Sequence, residues 1–299
     1  MPLLTIHHKT KYRYARPVAF GEHRIMLRPR DGHDLRVLES GLEIVPEPMR
    51  LRWIHDVFGN SVAIATFDER AEALTFTSTV TVEHNPEEEF ALTPDDPAFF
   101  YPFLYDSGEF PDLRQYITPQ YSDPHNELSA WAQNFLDAEA PTPTFKILSG
   151  MTHGIRNSFT YRRRHEQGTQ HPLDTLQTGS GTCRDYALLM IEALRRLGIA
   201  ARFVSGYLFV PEDGDYWGGG STHAWVQVYL PSAGWIEFDP TNGITGSRDL
   251  VRVAVARDPS QAIPLHGTYL GPADAFIDME VNIHVTSTDQ ERQRVAAEA

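Results

Sequence analysis

One strongly marked helix constrains the fold of this chain more than any other segment. It is expected to begin after Gly181, where Thr182 can cap it and Asp185 follows three residues later, and to end at Gly198. Its apolar residues recur at helical spacing and form one stripe: Ala187, Met190, Ile191, Leu194 and Leu197. Because such a stripe must be buried, the chain has to supply a layer on which this helix packs.

The strands predicted after the helix can supply that layer. Residues 202–210, 223–230 and 235–239 have strand character, and the Pro-, Asp- and Gly-rich residues 211–220 between the first two predict a mobile loop. If the second and third strands pair with their apolar faces together, Tyr229 opposes Trp235 and Gln227 opposes Glu237. Residues 230–234 then form the connecting loop of an antiparallel hairpin.

The rest of the chain predicts an α+β fold in two domains. Short β-like runs dominate the first hundred residues, including LTFTSTVTV at 74–82 and a turn at 58–60. A Pro- and Asp-rich stretch follows at 87–124, so we expect a β-rich N-terminal domain over 1–118 and a second domain over 119–299. The second domain is expected to open with two helices before the cysteine. It is expected to close with a half-buried strand at 277–285 and a frayed tail.

Charge and hydropathy exclude several classes of partner. The chain has 26 Lys and Arg against 40 Asp and Glu, a formal net charge of −14 that repels nucleic acid and anionic lipid. No stretch approaches the ~20 apolar residues of a membrane helix, and the N-terminal residues contain no apolar stretch as long as that of a signal peptide. These features predict a soluble cytoplasmic protein that binds neither nucleic acid nor membrane.

The chain contains a single cysteine, Cys183, at the first turn of the predicted helix. It lies four residues before Ala187, so its side chain is expected to point to the buried side. The unpaired amides and the dipole of a helix N-terminus favour an anion, and with it the reactive thiolate form of cysteine. A lone cysteine is more often a small buried apolar residue, so its neighbours decide the interpretation.

His223 and Asp239 fall on one face of the predicted hairpin, diagonal to each other at roughly 7–8 Å between backbones. An imidazole held by a carboxylate beside a thiol is the arrangement of a Cys-His-Asp catalytic triad. Trp225 and Trp235 share that face and are expected to line or buttress the cleft. The oxyanion is expected to bind the backbone amide of Cys183, with Tyr161 as a candidate second donor.

Three segments around these residues resemble the transglutaminase-like superfamily: GSGTCRDYALLMIEALRRLGIAARFVSGYL, STHAWVQVYL and GWIEFDPTNG. The segments YRYARPVAFGEHRIMLRPRDG and HDVFGNSVAIATF resemble the β-rich region that precedes this core in bacterial members. The resemblance implies a papain-like core with Cys183 as nucleophile, His223 as general base and acid, and Asp239 as the residue that orients His223. Where relatives often carry Gly-Arg-Asp-Tyr, this chain has Ala-Arg-Asp-Pro at 256–259.

Several functions remain open at this point. The acyl-enzyme of such a triad can pass to water, as in a cysteine protease or amidase, or to an amine, as in a transglutaminase. Hydrolysis of a peptide or isopeptide-like amide is favoured, because water is abundant and the sequence displays no site for a lysine acceptor. A zinc site built from the same three residues lacks paired ligand motifs, so no metal or cofactor is predicted. A non-catalytic binding module of the same fold is the third alternative.

Overall fold

The computed structural model describes residues 3–85, 92–139, 141–162, 164, 168–210, 217 and 220–287. Within them, the strands are β1 Leu3–Ile25, β2 Leu35–Val45, β3 Arg50–His55, β4 Ser61–Thr66, β5 Arg70–His84, β6 Phe100–Tyr101, β7 Thr142–Pro143, β8 Thr160–Tyr161, β9 Ser180–Gly181, β10 Ala201–Leu208, β11 His223–Leu230, β12 Gly234–Asp239, β13 Ile244–Thr245, β14 Leu250–Ala256, β15 Leu265–Leu270 and β16 Phe276–Ser287. The helices are α1 Phe110–Ile117, α2 Glu127–Gln133, α3 Thr144–Ser158, α4 Pro172–Thr178 and α5 Cys183–Arg196. The predicted tail and most of the predicted loop at 211–220 lie outside the described residues.

The N-terminal part of the chain folds into an antiparallel sheet, as its β-like runs predict. Its strands lie in the order β2-β5-β1-β4-β3, and β5 contains the predicted run at 74–82. The predicted turn at 58–60 joins β3 to β4, and its Gly59 has a φ of 74°, which glycine adopts without steric cost. The β-rich character of this region is therefore confirmed.

The last described strand, β16, returns to this sheet and pairs with β1 along most of its length. The alternation at 277–285 thus correctly predicts a strand. The half-buried pattern holds only in its second half, since Ile283 is 5% exposed whereas Ile277 is 57% and Met279 52% exposed. Val281, Ile283 and Val285 pack against the main core of the molecule, while Ile277 and Met279 lie beyond it.

The second sheet has the order β13-β12-β11-β10-β14 and is antiparallel. The predicted register between β11 and β12 is confirmed: Tyr229 pairs with Trp235 and Gln227 with Glu237. Pairing continues to Leu230 and Gly234, so the loop is residues 231–233 and is shorter than predicted. The edge strand β14, which the sequence analysis did not anticipate, pairs with β10.

Helix α5 forms where it is expected and packs on this sheet. Thr182 and Asp185 form a capping box, and Gly198 follows the last turn with a φ of 75°. All five residues of the predicted apolar stripe are buried. Glu192 and Arg195 are buried as well and form an ion pair at 2.8 Å, so α5 is enclosed on its polar side too. A helix buried on all sides is central to the core.

The opposite face of the sheet is also covered. His223, Trp225 and Gln227 are each 1% exposed or less. The cover comes from the N-terminal sheet region: Asp34 pairs with Arg252 at 3.1 Å, and Asn60 hydrogen-bonds both the amide and the carbonyl of Val255. Phe58 of the same region also packs against the cluster that contains Trp225. The pattern along single strands could not reveal this cover, because the residues that provide it are distant in sequence.

Two helices were missed in the sequence, and both are short. α1 packs its Leu113 and Tyr116 beside Ala200, and α4 begins with Pro172, a position that suits proline. The division at residue 118 stays a proposal, because β15 and β16 join the N-terminal sheet and α1 packs against the second domain. No helix in the described ranges is long and apolar enough to cross a membrane.

Candidate active site

Cys183 is the first residue of α5 and is 7% exposed. The carboxylate of Asp185 fixes the turn that presents it: the backbone amide and the hydroxyl of Thr182 both donate to Asp185 Oδ2 at 2.8 Å. Arg164 pairs with the same carboxylate at 3.0 Å, and the amide of Gln170 donates to its other oxygen. The thiol is therefore held at a rigid helix N-terminus, where the dipole favours an anion.

His223 and Asp239 are hydrogen-bonded to each other across the β11–β12 pair. The distance from His223 Nε2 to Asp239 Oδ2 is 2.7 Å, and both residues are buried. The other carboxylate oxygen, Oδ1, accepts from the amide of Thr241 at 2.8 Å, and the side-chain amide of Asn242 donates to Oδ2 at 2.8 Å. Three donors thus hold the carboxylate, which orients the imidazole.

The electrostatics of the pair favour a protonated imidazole beside an ionised carboxylate. Burial lowers the pKa of His223, but the Asp239 carboxylate and the Cys183 thiol outweigh burial and raise the pKa to about 10. Burial raises the pKa of Asp239, but His223, Asn242 and the Thr241 amide outweigh it and hold that pKa below its usual value. The charged forms of both groups are therefore stabilised around neutral pH.

Cys183 lies beside the free edge of the imidazole. Its thiol is one of the groups that raise the pKa of His223, and the Nε2 edge of the ring is taken by Asp239. Nδ1 is buried and has no hydrogen-bond partner among the described residues. We therefore assign the side of Nδ1 to the thiol, so that the imidazole lies between the sulfur and the carboxylate.

Trp225 supports the imidazole from behind, in agreement with the expected buttressing role. The two rings stack with centroids 6.0 Å apart and an interplanar angle of 26°. Gly206 on β10 pairs with His223, and a Cβ there would lie 2.6 Å from the Trp225 ring and 2.2 Å from the carbonyl oxygen of Val251. Glycine at 206 is thus what allows the indole to lie flat against the sheet.

Trp235 does not line the cleft, and that expectation is wrong. Its ring packs against Tyr116 of α1 at 5.2 Å and against Tyr229 at 5.4 Å, with the guanidinium of Arg202 3.9 Å from its centroid. Trp235 and Asp239 do share a face, but they are four residues apart on one strand. At ~3.3 Å per residue, that separation places the backbones of the two residues roughly 13 Å apart.

Tyr161 lies near the start of α5, as a candidate oxyanion residue must. Its strand β8 pairs with β9 so that Tyr161 stands opposite Gly181, two residues before Cys183. Its ring contacts Tyr186, one turn into α5, at 6.3 Å between centroids, and Trp217 at 5.7 Å. The structure therefore gives its position, while its chemical role stays a prediction.

Three residues near the triad were not singled out by the sequence analysis. Asn242 accepts a hydrogen bond from the backbone amide of Trp217 at 2.7 Å while it donates to Asp239. The guanidinium of Arg156 on α3 lies 3.6 Å from the centroid of the Trp217 ring. A signal for Asn242 was available, because it lies in the Asp-Pro-Thr-Asn-Gly turn directly after Asp239.

The zinc alternative gains no support from this geometry. His223 Nε2 and Asp239 Oδ2 are bonded to each other, so these two atoms do not point together at a common metal. In the part of the chain that the structure describes, no three His, Cys, Asp or Glu side chains are grouped as a metal site.

Two family models match the chain, one on each side of the predicted division. The bacterial transglutaminase-like N-terminal region matches residues 4–83, and the transglutaminase-like superfamily core matches residues 129–240. The second range contains Cys183, His223 and Asp239.

Individual proteins are similar to the chain over different shares of its length. ML0607 of Mycobacterium leprae is 27% identical over 281 residues, which cover 92% of this chain and 96% of that protein. A protein-glutamine gamma-glutamyltransferase of Pseudomonas aeruginosa is 37% identical over 79 residues, 24% of this chain and 11% of that protein. The crystal structure of a proposed cysteine protease from Cytophaga hutchinsonii superposes with a TM-score of 0.70 at 20% identity, covering 96% of this chain and 91% of that one. The chain therefore belongs to the transglutaminase-like superfamily and combines its core with the N-terminal region of bacterial members.

Proposed function

We propose that this protein is a cysteine enzyme that cleaves an amide bond of a peptide or protein through a thioester on Cys183. The observation that carries the proposal is the buried His223–Asp239 hydrogen bond of 2.7 Å. The Cys183 thiol, at a helix N-terminus, is one of the groups that raise the pKa of His223. A thiol that is merely structural has no need of an oriented imidazole beside it. The intact set of three residues also argues against a non-catalytic binding module.

In the first step, the Cys183 thiolate attacks the carbonyl carbon of the substrate amide. The thiol proton resides on His223, whose raised pKa favours the imidazolium form. The carbonyl π electrons move to oxygen, and the backbone amide of Cys183 is the first expected donor to that oxyanion. Tyr161 is the candidate second donor, because its strand runs beside Gly181.

In the second step, the tetrahedral intermediate collapses to a thioester. The C–N bond breaks, and His223 gives its proton to the departing nitrogen, so that a neutral amine leaves. Asp239 keeps the imidazole in position throughout and remains ionised, in line with its lowered pKa. The product of this half-reaction is an acyl group on Cys183 and a free amine.

The acyl group can then pass to water or to an amine. His223, now neutral, takes a proton from the acceptor as the thioester is attacked, and the thiolate is regenerated with the imidazolium. We favour water, which makes the protein a protease or amidase. Transfer to an amine is the second candidate, and the similarity to a protein-glutamine gamma-glutamyltransferase over 79 residues favours it. No cofactor enters either route, and a cytoplasmic location remains a prediction from the sequence.

The test is a product analysis with glutamine- and lysine-containing peptides, with and without a labelled primary amine. Hydrolysis predicts release of the amine and a free carboxylate, whereas transfer predicts that the labelled amine is incorporated at the expense of the acid. Both reactions should be absent in Cys183→Ala and unchanged in Asp274→Asn, an exposed carboxylate between β15 and β16. Turnover that persists in Cys183→Ala would overturn the proposal.

A further inference from the structure

Asn242 makes two sets of hydrogen bonds that meet at the triad. Its side-chain nitrogen Nδ2 donates to Asp239 Oδ2 at 2.8 Å, the oxygen that also accepts from His223 Nε2 at 2.7 Å. Its side-chain oxygen accepts from the backbone amide of Trp217 at 2.7 Å, and Nδ2 lies 3.3 Å from the Trp217 carbonyl. One amide group therefore bridges the triad carboxylate and the backbone of another segment.

The bond to Trp217 fixes which way the Asn242 amide points. A backbone N–H can only donate, so the Asn242 atom that faces it must be the oxygen. The NH₂ group is then directed at Asp239, where a carboxylate can only accept. Asn242 Nδ2 and His223 Nε2 lie 3.4 Å apart, and both donate to the same oxygen. The orientation is thus determined by chemistry at both ends.

We propose that Asn242 is a positioning residue that acts through Asp239 and sets the angle at which the carboxylate holds His223. This inference rests on the proposed function of the triad and adds a fourth member to it. Asn242 touches neither the sulfur nor the reacting carbonyl. It restrains rotation of the carboxylate about its Cβ–Cγ bond, because Thr241 holds Oδ1 and Asn242 holds Oδ2. Without it, Oδ2 keeps one donor and the imidazole has more than one orientation available.

The variant Asn242→Asp separates the two hydrogen-bonding roles of Asn242. It keeps a side-chain oxygen for the Trp217 amide but replaces the N–H donor to Asp239 by an acceptor. Asn242→Ala removes both bonds, and Asn282→Ala is the matched control, since Asn282 is exposed on β16 and bonds only its neighbour Glu280 among the contacts described. We expect kcat to fall about 10-fold or more in both Asn242 variants, with KM within about twofold of wild type, and no change in the control.

The decisive readout is a double-mutant cycle with Asp239→Asn. If Asn242 acts through the carboxylate, Asn242→Ala costs little further kcat once Asp239 has been replaced, because residues that act as a unit are non-additive. Additive losses in the cycle would overturn the inference, since a merely structural asparagine would lower activity equally in both backgrounds. Circular dichroism and thermal melting of each variant exclude losses caused by unfolding.

The same experiment separates this inference from the proposed function. If wild type shows no turnover and the alkylation of its thiol rises with pH like that of the unfolded chain, the triad itself is wrong. If wild type and the control are active and Asn242→Asp equals wild type, the triad stands and the role of Asn242 is rejected.

Discussion

His223 Nε2 and Asp239 Oδ2 lie 2.7 Å apart on neighbouring strands whose connecting loop is residues 231–233. The register of β11 and β12 makes this contact possible, because the paired residues Gln227 and Glu237 fix which residues share a face. A slip of one residue would turn Asp239 to the opposite face of the sheet. The pair is therefore a property of the hairpin and not of a mobile loop.

Removing each triad member should affect turnover differently. Cys183→Ala and His223→Ala are expected to abolish it, because one removes the nucleophile and the other the proton carrier. Asp239→Asn should leave a measurable remnant, since it removes orientation and charge but not the proton carrier itself. Steady-state kinetics check this, with His266→Ala on the exposed face of β15 as the control. Equal losses in Asp239→Asn and Cys183→Ala would contradict this division of roles.

Tyr161→Phe tests the second oxyanion donor. If the hydroxyl binds the oxyanion, its loss should lower kcat by about 10²-fold while KM changes little, because the bond forms only in the transition state. The ring contacts with Tyr186 and Trp217 remain available to phenylalanine, and thermal melting checks that the variant is folded. An unchanged kcat would remove Tyr161 from the mechanism and leave it as a packing residue.

Gly206→Ala should disturb both the fold and the support of His223. An added Cβ would lie 2.2 Å from the Val251 carbonyl oxygen and 2.6 Å from the Trp225 ring. We expect a loss of about 1–3 kcal/mol in the free energy of unfolding, as for other overpacked cores, and reduced kcat. Gly41→Ala, on strand β2, is the matched control because its nearest contact would be 3.9 Å away. Urea denaturation measures the free energy of unfolding of both variants. Equal stability of Gly206→Ala and Gly41→Ala would contradict the prediction.

Glu237 should make stability depend on pH. It accepts from Gln227 at 3.0 Å and from Arg252 at 2.9 Å, yet burial exceeds these effects and raises its pKa to about 7. Because its pKa is higher in the folded chain than in the unfolded chain, Glu237 adds to the free energy of unfolding. This contribution is fully present below pH 4.5, the pKa in the unfolded chain, and is lost as pH rises through about 7.

Glu237→Gln removes this titration. Between pH 4.5 and 8, the free energy of unfolding of wild type should fall relative to the variant by an amount on the order of 3 kcal/mol. Denaturant titrations of both proteins at several pH values measure the difference in slope. The absolute stability of the variant is a separate matter, because glutamine also changes the bond to Arg252. Parallel pH profiles for the two proteins would show that Glu237 does not titrate in this range.

Local signals in the sequence predicted much of the site. The cap at Thr182 and the stop at Gly198 defined α5, and with it the position of Cys183 at a helix N-terminus. Alternation on two successive strands was enough to predict their register. These features depend on residues close in sequence, where helix caps and strand period act directly.

Features that depend on distant contacts were missed. Trp235 shares a face with Asp239, but a face extends along the whole strand, and only the packing of α1 shows that this tryptophan belongs to another cluster. The cover over Trp225 includes Phe58, which packs against its cluster from a distant part of the chain. Strand period alone therefore identifies which residues share a face, but not what the face packs against.

The central claim is that His223 holds the Cys183 thiol in its reactive form, and the pH profile of its alkylation tests this most directly. Because the chain has one cysteine, uptake of iodoacetamide measured by intact mass reports on that sulfur alone. Burial of the sulfur lowers the alkylation rate by the same factor at every pH. The dependence of the rate on pH therefore reports how much of the thiol is ionised.

The account predicts that wild type reacts at close to its plateau rate already at pH 6, at least about 10-fold faster there than His223→Ala measured in parallel. Urea-unfolded protein should instead show the rising profile of a free thiol, with a midpoint near the ordinary value of ~8.5. A wild-type rate that climbs about 10-fold per pH unit up to pH 8 and matches that of His223→Ala would contradict the account.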